Sequence, residues 1–537
     1  MTMKKTILAA FCATIAVSAS AQNVTDALRY SQNDYYGTAR SIAMGNAFTA
    51  LGGDLGSITI NPAGSAVNNY SQFTVTPSIN ILAGTASYSG TGFVGDGNGE
   101  YISNNSSTRF TMPNLGLVMN YNTHRKHGLK SISFGIVGNA TSYYNDNMYA
   151  NGPNGKSSYM GYLSALAESE GLSIDDLNKA SYWDMDPYYW PAMVGYRSGM
   201  INEMDGHYLS PAEGFDKDGN IVMRGTLDES FNRVVRGNKY DLVMNFGMNF
   251  NNKLFLGANL GIVDLSYKYN SYLGEQAYDS HDFPMQMADG TMSAFNSMKF
   301  RHSYGAEGSG IYAKIGVIAV PFEGFRIGAA IQTPTANYIN ERMWYSGATE
   351  FDGGYEGSET IYQNDEYAYE YKLVSPMRAN VGIAYTIPGL GLVSADYEFC
   401  DYYRMKFREA NYYDHSAFDD ANQSIHEFAG ASHSLRLGAE FIPAKGYALR
   451  AGYNLTTSGE RYYDSNGNCC TPSGKQSVAF GAGYKSPRSF FCDAALRCNI
   501  LPAEYVYPYD TYDDIATPEI LVKSNLWNLV FTFGWRF

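Results

Sequence analysis

The sequence contains few charged residues and no long apolar run beyond its N-terminal segment. Asp, Glu, Lys and Arg make up 17% of the 537 residues. Beyond the N-terminal segment, no window comes close to the roughly 18 consecutive apolar residues of a transmembrane helix. This absence excludes a helical membrane protein. The formal net charge is -14, so the chain has no electrostatic basis for binding nucleic acid.

Cysteine and histidine are also scarce, and their spacing matches no metal site. The six cysteines form neither a zinc pattern nor a disulfide framework. We interpret the cysteines as small apolar residues. Because Cys492 and Cys498 share one face of a predicted strand, one disulfide remains an open alternative. The eight histidines are dispersed, so haem ligation finds no support. With G-x-S-x-G, H-E-x-x-H and P-loop motifs absent, we expect no enzyme activity, no cofactor and no metal.

The first 21 residues have the pattern of an export signal. Two lysines precede an apolar run from Ile7 to Val17, and Ala19 and Ala21 form an A-x-A cleavage site. The run is too short for a membrane-spanning helix. The sequence therefore predicts a cleaved signal peptide over residues 1–21, which places Cys12 inside the removed segment.

Aromatic residues are abundant, at 15% of the chain with 46 tyrosines, and they recur at every second position. The chain ends on such a segment, in which the odd-numbered residues from Trp527 to Phe537 are large and apolar and the even-numbered ones are mostly small or polar. The same alternation appears at 240–250, 254–262 and 391–399. A period of two predicts β-strands with one apolar and one polar face.

About fourteen such strands are predicted, and their connections alternate between short turns and long loops. A two-sheet sandwich would give similar strands. The length of the strands, their aromatic ends and the charged, glycine-rich polar faces favour a transmembrane antiparallel β-barrel in the outer membrane, with both chain ends in the periplasm. The predicted strands are 72–84, 109–122, 128–145, 233–250, 253–271, 304–320, 324–340, 367–387, 390–408, 431–443, 446–459, 475–485, 488–504 and 524–537.

The predicted barrel domain, residues 71–537, contains one unusually long loop at 146–232. Ser173 with Asp176 three residues later predicts a capped helix start within it, so we expect a partly helical extracellular lid. Asp216, Asp218 and Asn220 resemble part of a calcium loop, but no EF-hand completes it, which favours a turn.

Residues 22–70 precede the barrel and lack a strand pattern. They are rich in Gly, Ala and Ser and contain the turn Asn61-Pro62-Ala63. Because small residues can pack closely in a narrow lumen, we interpret this segment as a plug. The stretch "GNAFTALGGDLGSITINPAG" resembles the N-terminal hatch of the FadL/TodX outer-membrane transporters. "FRIGAAIQTP" and "VAFGAGYKSPRSFFCDAALR" resemble their strands and periplasmic turns.

The resemblance implies uptake of a fatty-acid-like or aromatic hydrophobic ligand. In that family the ligand leaves sideways into outer-membrane lipid through a gap made by a kink in the third strand, for which Gly135 and Gly138 are the candidates here. Ordinary packing of these glycines remains equally open. The terminal Trp535 and Phe537 resemble the signal read by the barrel assembly machinery. A scaffold for surface-protein secretion and a haem-binding receptor remain alternative functions.

Charged residues on the predicted inner faces form a candidate lumen network. We expect them mainly to pair with one another and hold the plug, although an arginine that binds a ligand carboxylate remains possible among them. These residues are Arg326, Asp396, Glu398, Arg436, Glu440, Arg450, Asp493 and Arg497.

Overall fold

The structure is a computed structural model that describes residues 23–90, 100–204, 206–287, 290–363, 368–410, 417–464, 467–512 and 515–537. The predicted signal peptide lies outside the described residues. So does His415, one of the eight dispersed histidines. Within the described ranges, no helix is long and apolar enough to cross a membrane.

Fourteen antiparallel strands form a closed barrel, which confirms the predicted fold class. Each strand pairs with the next, and the last pairs with the first, from Gln72 opposite Arg536 to Ser89 opposite Glu519. The strands are β1 Gln72–Ser89, β2 Glu100–Asn122, β3 Leu129–Asn154, β4 Leu227–Phe250, β5 Leu254–Ala277, β6 Met292–Phe322, β7 Phe325–Gln332 continued by Thr335–Phe351, β8 Tyr369–Ser375 continued by Arg378–Ile387, β9 Gly391–Asp401 continued by Lys406–Glu409, β10 Ala431–Ala444, β11 Tyr447–Thr456, β12 Lys475–Lys485, β13 Phe490–Ile500 and β14 Glu519–Arg536.

The two faces of the strands differ as their alternation predicts. On β14, Trp527 and Trp535 are exposed on the barrel exterior, while Asn528 and Thr532 are fully buried inside. Large apolar side chains remain exposed in the same way around the barrel. A surface of this kind is stable only against lipid, because no water-soluble protein leaves so wide an apolar band uncovered. The chain is therefore a transmembrane β-barrel.

The strands differ widely in length. β6 has 31 residues and β3 has 26, whereas β11 has 10 and β12 has 11. The sequence predicted only 304–320 of β6, because above the lipid both faces become polar and the alternation weakens. The long strands project at the end of the barrel that carries the long connections, which we call the loop end. The opposite end, with the short connections, is the turn end.

Among the described residues, α-helices occur in three places. The N-terminal segment, residues 23–70, contains α1 Val24–Ser31, α2 Ala39–Ala43 and two 3-10 turns, Leu55–Thr59 and Pro62–Val67. The connection between β3 and β4 contains α3 Tyr159–Ser169, α4 Ile174–Leu177 and α5 Trp190–Arg197. The remaining helix, α6, is Asp419–Phe428.

The β3–β4 connection forms a folded unit at the loop end, which we call the cap and define as residues 155–204 and 206–226. Its predicted helix start is confirmed, because Ser173 and Asp176 form a reciprocal capping box. The two longer helices of the cap, α3 and α5, were not predicted. The Asp216 turn is also confirmed: it joins the two strands of a hairpin, Glu213–Phe215 and Ile221–Met223, and its carboxylate accepts from the backbone N–H of Asp218 and Asn220.

Short strands complete the loop end. They are Asn202–Met204, His207–Leu209, Pro284–Gln286, Glu356–Tyr362, Tyr462–Tyr463, Cys469–Cys470 and Glu504–Val506. The five described cysteines are free. Cys492 and Cys498 lie on β13 opposite the lipid-facing Phe533 and Trp527 of β14, six residues apart on one strand, so their geometry allows no disulfide between them.

Candidate functional site

The N-terminal segment packs against the inner face of the barrel. Asn61 is fully buried, and its side-chain NH2 group donates to the carbonyls of Thr49 and Val317 at 2.6 and 3.1 Å. Lys314 of β6 donates to the carbonyl of Thr59 at 2.7 Å, and the Asn245 amide of β4 donates to that of Pro62 at 3.0 Å. The Asn61-Pro62-Ala63 turn is thus fixed to strands β4 and β6 of the wall.

Glycines in the wall make room for this turn. A Cβ on Gly316 would lie 1.9 Å from the Asn61 side-chain oxygen, and one on Gly257 would lie 2.3 Å from the Pro62 carbonyl carbon. Both distances are far below van der Waals contact. The close approach of backbone to backbone therefore depends on glycine at these two strand positions.

Five of the eight lumen charges named from the sequence belong to two buried ion-pair groups. In the first, Glu398 lies between Arg378 and Arg436 at 2.9 and 2.7 Å. In the second, Arg450 bridges Glu440 and Asp493 at 2.6 Å each.

The second group extends into the N-terminal segment, because Arg40 of α2 also binds Glu440 at 3.0 Å.

The other three predicted charges contact the N-terminal backbone directly. Asp396 accepts from the Thr49 N–H at 2.7 Å, Arg326 donates to the Leu51 carbonyl at 2.6 Å, and Arg497 donates to the Tyr35 carbonyl at 3.4 Å. Sequence reasoning missed four further lumen cations. Arg40 lies in the N-terminal segment, whereas Lys239, Lys314 and Arg378 occupy inward strand positions.

The wall is interrupted between β2 and β3. Their backbone pairing runs from the turn end up to Asn114 opposite Asn139 and stops there, although β2 stays paired with β1 up to Glu100. Immediately beyond, β3 has a bulge at Thr141, between Ala140 and Ser142. The carbonyls of Ala140 and Thr141 accept from the N–H groups of Tyr36 and Asp34, at 2.9 and 2.7 Å. The N-terminal segment thus takes the hydrogen bonds that β2 would otherwise make.

A proline on β2 is the sequence signal for this interruption. Pro113 directly precedes Asn114, the residue of β2 at which pairing with β3 ends. Because proline has no N–H, it cannot extend the ladder toward the loop end. Gly135 and Gly138, the predicted kink positions, lie just below the break in regular pairing, opposite Val118 and Leu115. Neither has a positive φ.

Side chains bridge the two strands again above the break. Arg109 of β2 donates to the Tyr144 carbonyl at 3.1 Å. Higher up, the Asn105 amide donates to the Tyr149 carbonyl at 3.1 Å and accepts from its N–H at 2.9 Å. The opening is therefore bounded below by the Asn114–Asn139 pair and above by Arg109, and we call it the window.

Three tyrosine rings pass through the window. Tyr36 of the N-terminal segment packs edge-on against Tyr143 of β3, with ring centres 4.6 Å apart. Tyr143 packs edge-on against Tyr240 on the exterior of β4 at 6.0 Å, and their hydroxyls lie 3.0 Å apart. Tyr240 in turn donates to the Met112 carbonyl of β2 at 3.3 Å. A continuous aromatic row thus joins the lumen to the lipid-facing surface.

A small cavity of about 40 Å³ lies on the lumen side of Tyr36. Its wall includes Tyr35, Tyr36, Arg436 and Arg497. Arg497 lies 4.4 Å from the centre of the Tyr36 ring in a cation–π contact. Tyr36 therefore separates the cavity from the window.

The lower edge of the window is connected to the N-terminal segment. The Asn114 amide donates to the Asn139 side-chain oxygen at 2.7 Å, and Asn139 donates to the carbonyl of Gly56 at 3.4 Å. Both asparagines are fully buried. A shift of residues 55–59 would therefore leave a buried amide at the window without its partner.

Comparison with models of protein families and with curated proteins finds no match. Solved structures are similar over nearly the whole chain. A FadL homologue of Pseudomonas aeruginosa has 11% identity and a TM-score of 0.48, over 93% of this chain and 98% of that chain.

The toluene transporter TodX of P. putida has 12% identity and a TM-score of 0.47, over 94% and 99% of the two chains. The toluene transporter TbuX of Ralstonia pickettii has 13% identity and a TM-score of 0.42, over 94% and 99%.

Proposed function

We propose that this barrel is an outer-membrane channel through which small hydrophobic molecules diffuse inward and leave sideways through the window between β2 and β3. The observation that carries the proposal is the row of Tyr36, Tyr143 and Tyr240, which leads from a lumen cavity to the lipid-facing surface through a break in the wall. Aromatic rings offer an apolar molecule a surface on which it loses no hydrogen bond.

In this proposal residues 22–70 act as the hatch. The polar contacts of Asn61, Lys314 and Arg326 hold the segment in the lumen, while Tyr36 covers the inner mouth of the window. A small displacement of Tyr36 joins the cavity to the window and leaves the remainder of the segment in place. No energy source is needed if the ligand binds both the open and the closed arrangement with moderate and unequal affinity.

The cap acts as the extracellular lid of the same path. Trp190 and Leu163 of its helices are buried in an apolar cluster with Phe300 of β6 and Tyr345 of β7. A hydrophobic ligand captured outside would therefore meet apolar side chains before it reaches the lumen. The ligands we propose for this path are long-chain fatty acids or small aromatic hydrocarbons.

Deletion of Thr141 tests the window. The deletion removes the bulge, so that β3 continues straight and its backbone becomes available to β2. Side chains above the deletion keep their faces, because the bulge is what shifts the alternation by one residue. We expect cells that carry this variant to lose most uptake of radiolabelled oleate and of radiolabelled toluene.

Deletion of Lys130 provides the matched control. Lys130 is the residue skipped between Leu129 and Ser131 in the same β3–β4 pairing, near the turn end and away from the window. This variant should fold and transport as the original chain does. Unchanged uptake in the Thr141 deletion, with normal folded-barrel mobility on an unheated gel, would contradict lateral exit. Loss of both substrates in both variants would point to a general defect of the barrel.

A further inference from the structure

The exterior of β4 to β7 is layered by height above the membrane. The apolar surface ends at a row formed by Leu242, Ile262 and Ile311, which lie opposite one another on β4, β5 and β6. The next row carries Tyr240 of β4 and, three strands away, Tyr338 of β7, with the exposed Asp264 of β5 and Ser309 of β6 between them. Tyrosine at this position marks the boundary between hydrocarbon and lipid headgroups.

Two rows above the tyrosines lies a row of cations. Arg236 of β4 faces Lys268 of β5, Lys268 faces Gly305 of β6, and Gly305 faces Arg342 of β7. Four residues along a strand cover about 13 Å, which a strand tilt near 40° reduces to roughly 10 Å of height. The row therefore lies at the level of the headgroups of the outer leaflet.

The placement of Arg236 and Lys268 is unfavourable for the isolated protein. Like charges directly opposite each other in adjacent strands repel. Both side chains are exposed, and neither makes an ion pair or side-chain hydrogen bond to another described residue. The nearest acid on this face, Glu307, lies on the row below and diagonal to Lys268. This concentration of positive charge occurs in a chain whose net charge is -14.

Gly305 has no side chain, so the backbone of β6 is uncovered between Lys268 and Arg342. The nearest atom to a Cβ added there is the Tyr267 carbonyl oxygen at 3.9 Å. The surface at this position is thus a shallow notch with Lys268 on one side and Arg342 on the other. A notch flanked by cations fits a compact anion better than a flat strand surface does.

An aromatic platform lies directly above the cation row. Arg301 of β6 is stacked between Tyr272 of β5 and Trp344 of β7, with its guanidinium 5.1 and 5.4 Å from the two ring centres. Hydrogen bonds from Arg301 to Asn270 and Ser303, both at 3.0 Å, fix its position. Flat aromatic and guanidinium surfaces of this kind stack against sugar rings.

From this layering we propose that the exterior of β4 to β7 binds a phosphorylated glycolipid of the outer leaflet. Its acyl chains lie on the apolar row, its phosphate binds Arg236 and Lys268 beside the notch, and its sugar lies on the platform of Tyr272, Arg301 and Trp344. The order of the three surfaces from the membrane outward is the order of the three parts of such a lipid. The proposal does not depend on what the barrel transports.

The test uses the purified folded barrel in detergent and native mass spectrometry with added bisphosphoryl lipid A. Binding is compared between the original chain and a variant with both Arg236→Gln and Lys268→Gln. Because hydrogen bonds to charged groups are among the stronger ones, we expect the variant to bind at least roughly tenfold more weakly. Dephosphorylated lipid A should bind both proteins equally weakly.

Two further variants separate charge from folding and from general attraction. Arg236→Lys with Lys268→Arg keeps both charges and should retain binding. Lys253→Gln with Arg488→Gln removes two exposed cations at the turn end and should bind as the original chain does. Equal binding by the original chain and the Arg236/Lys268 glutamine variant would overturn the proposal. Displacement of lipid A by an equal concentration of inorganic phosphate would also overturn it, because the notch would then be a site for free phosphate.

Discussion

The two ends of the lumen are filled by different chemistry. At the turn end, the N-terminal segment uses small residues and contacts the wall through buried hydrogen bonds and ion pairs, such as those of Asn61 and Arg40. At the loop end, large side chains of the cap such as Trp190 and Met193 are buried with Tyr509 of the β13–β14 connection in one continuous apolar cluster. One closure is thus polar and directional, and the other is apolar and extensive.

This difference predicts different modes of opening. Hydrogen bonds and ion pairs have defined geometries, so a polar closure can exchange one set of partners for another or for water with a small net change in free energy. An apolar cluster has no alternative partners in water, so its opening exposes surface at a cost proportional to area. We therefore expect the N-terminal segment to shift locally and the cap to open as a unit.

The largest expected effect is on the cap. Trp190 is 1% exposed, and its indole N–H donates to the Tyr182 carbonyl at 3.1 Å. Trp190→Ala should destabilise the cap by about 3–5 kcal/mol through loss of buried area and creation of a cavity. Hydrogen exchange should show the whole cap opening while protection of the barrel strands is unchanged.

Trp183→Ala is the matched control for the cap. Trp183 packs edge-on against Trp190 at 5.3 Å but is only half-buried, so we expect a clearly smaller effect. Exchange that increases only in the few residues around position 190 would show that the cap does not open as a unit and would break the comparison.

The next effect is at the N-terminal segment. Gly316→Ala introduces a Cβ that would lie 1.9 Å from the Asn61 side-chain oxygen, so the turn at residues 61–63 must move away from β6. Overpacking of this kind costs about 1–3 kcal/mol. We expect faster hydrogen exchange at residues 55–67 and increased sensitivity of cells to large antibiotics that normally do not pass the barrel.

Gly305→Ala, on the same strand, controls for the loss of a strand glycine. An added Cβ there has open space, with its nearest atom at 3.9 Å. This variant should leave exchange at residues 55–67 and antibiotic sensitivity unchanged. If both variants behave alike, the close fit at Gly316 is not what holds the segment.

The barrel could be predicted from the sequence because lipid and lumen impose opposite polarity on alternate residues. All fourteen strands were identified where they cross the membrane, as on β14. The upper halves of β3 and β6 were missed because water lies on the outer side there and the alternation loses its contrast. Helices α3 and α5 were missed for a related reason: α3 buries most of its surface and therefore shows little periodicity.

The window was only partly predictable. Its strand was named through the family resemblance, but the break depends on long-range partners, namely Asp34 and Tyr36, which bind the carbonyls at the Thr141 bulge. No local pattern indicates that a segment a hundred residues away replaces β2. Pro113 was the available signal, because a proline inside a barrel strand requires a place where its missing N–H is not needed.

A third prediction concerns two carboxylates beneath the cap. Glu229 and Glu275 lie opposite each other on β4 and β5, far above the tyrosine row, and both are fully buried. The Asn154 amide and the Tyr509 hydroxyl donate to one oxygen of Glu229, while the other oxygen has no described partner. Burial raises the pKa of Glu229 to about 7, and burial together with the Glu229 charge raises the pKa of Glu275.

Because these folded-state pKa values lie above the unfolded value near 4.5, the folded cap binds more protons than the unfolded one over the range from about pH 4.5 to 7. The stabilisation is fully present below this range and is lost as the pH rises through it. Proteolysis of the cap should therefore be faster at pH 8 than at pH 5, by roughly tenfold or more, since one pKa unit corresponds to a factor of ten.

Glu229→Gln combined with Glu275→Gln keeps the shapes of both side chains and removes their titration, so it should flatten the pH dependence and slow proteolysis at pH 8. Barrel mobility on an unheated gel is the control, because this pair lies at the loop ends of β4 and β5, outside the parts of these strands that cross the membrane. A pH dependence that persists in the double glutamine variant would assign the titration to groups other than this pair.

The smallest expected effect tests how much a single ion pair contributes to the polar closure. Arg40 binds Glu440 with two nitrogens, at 3.0 and 3.3 Å, but its side chain is 21% exposed and Glu440 keeps Arg450 as a second partner. Arg40→Gln should therefore cost only about 1 kcal/mol or less. Its effect on exchange at α2 should shrink further in high salt. Arg404→Gln breaks an ion pair with Asp401 whose arginine is 73% exposed, and should not change exchange at α2. A loss at Arg40 comparable to that of Gly316→Ala would mean that one ion pair, and not the sum of many polar contacts, holds the N-terminal segment, and the closure would then release at a single residue.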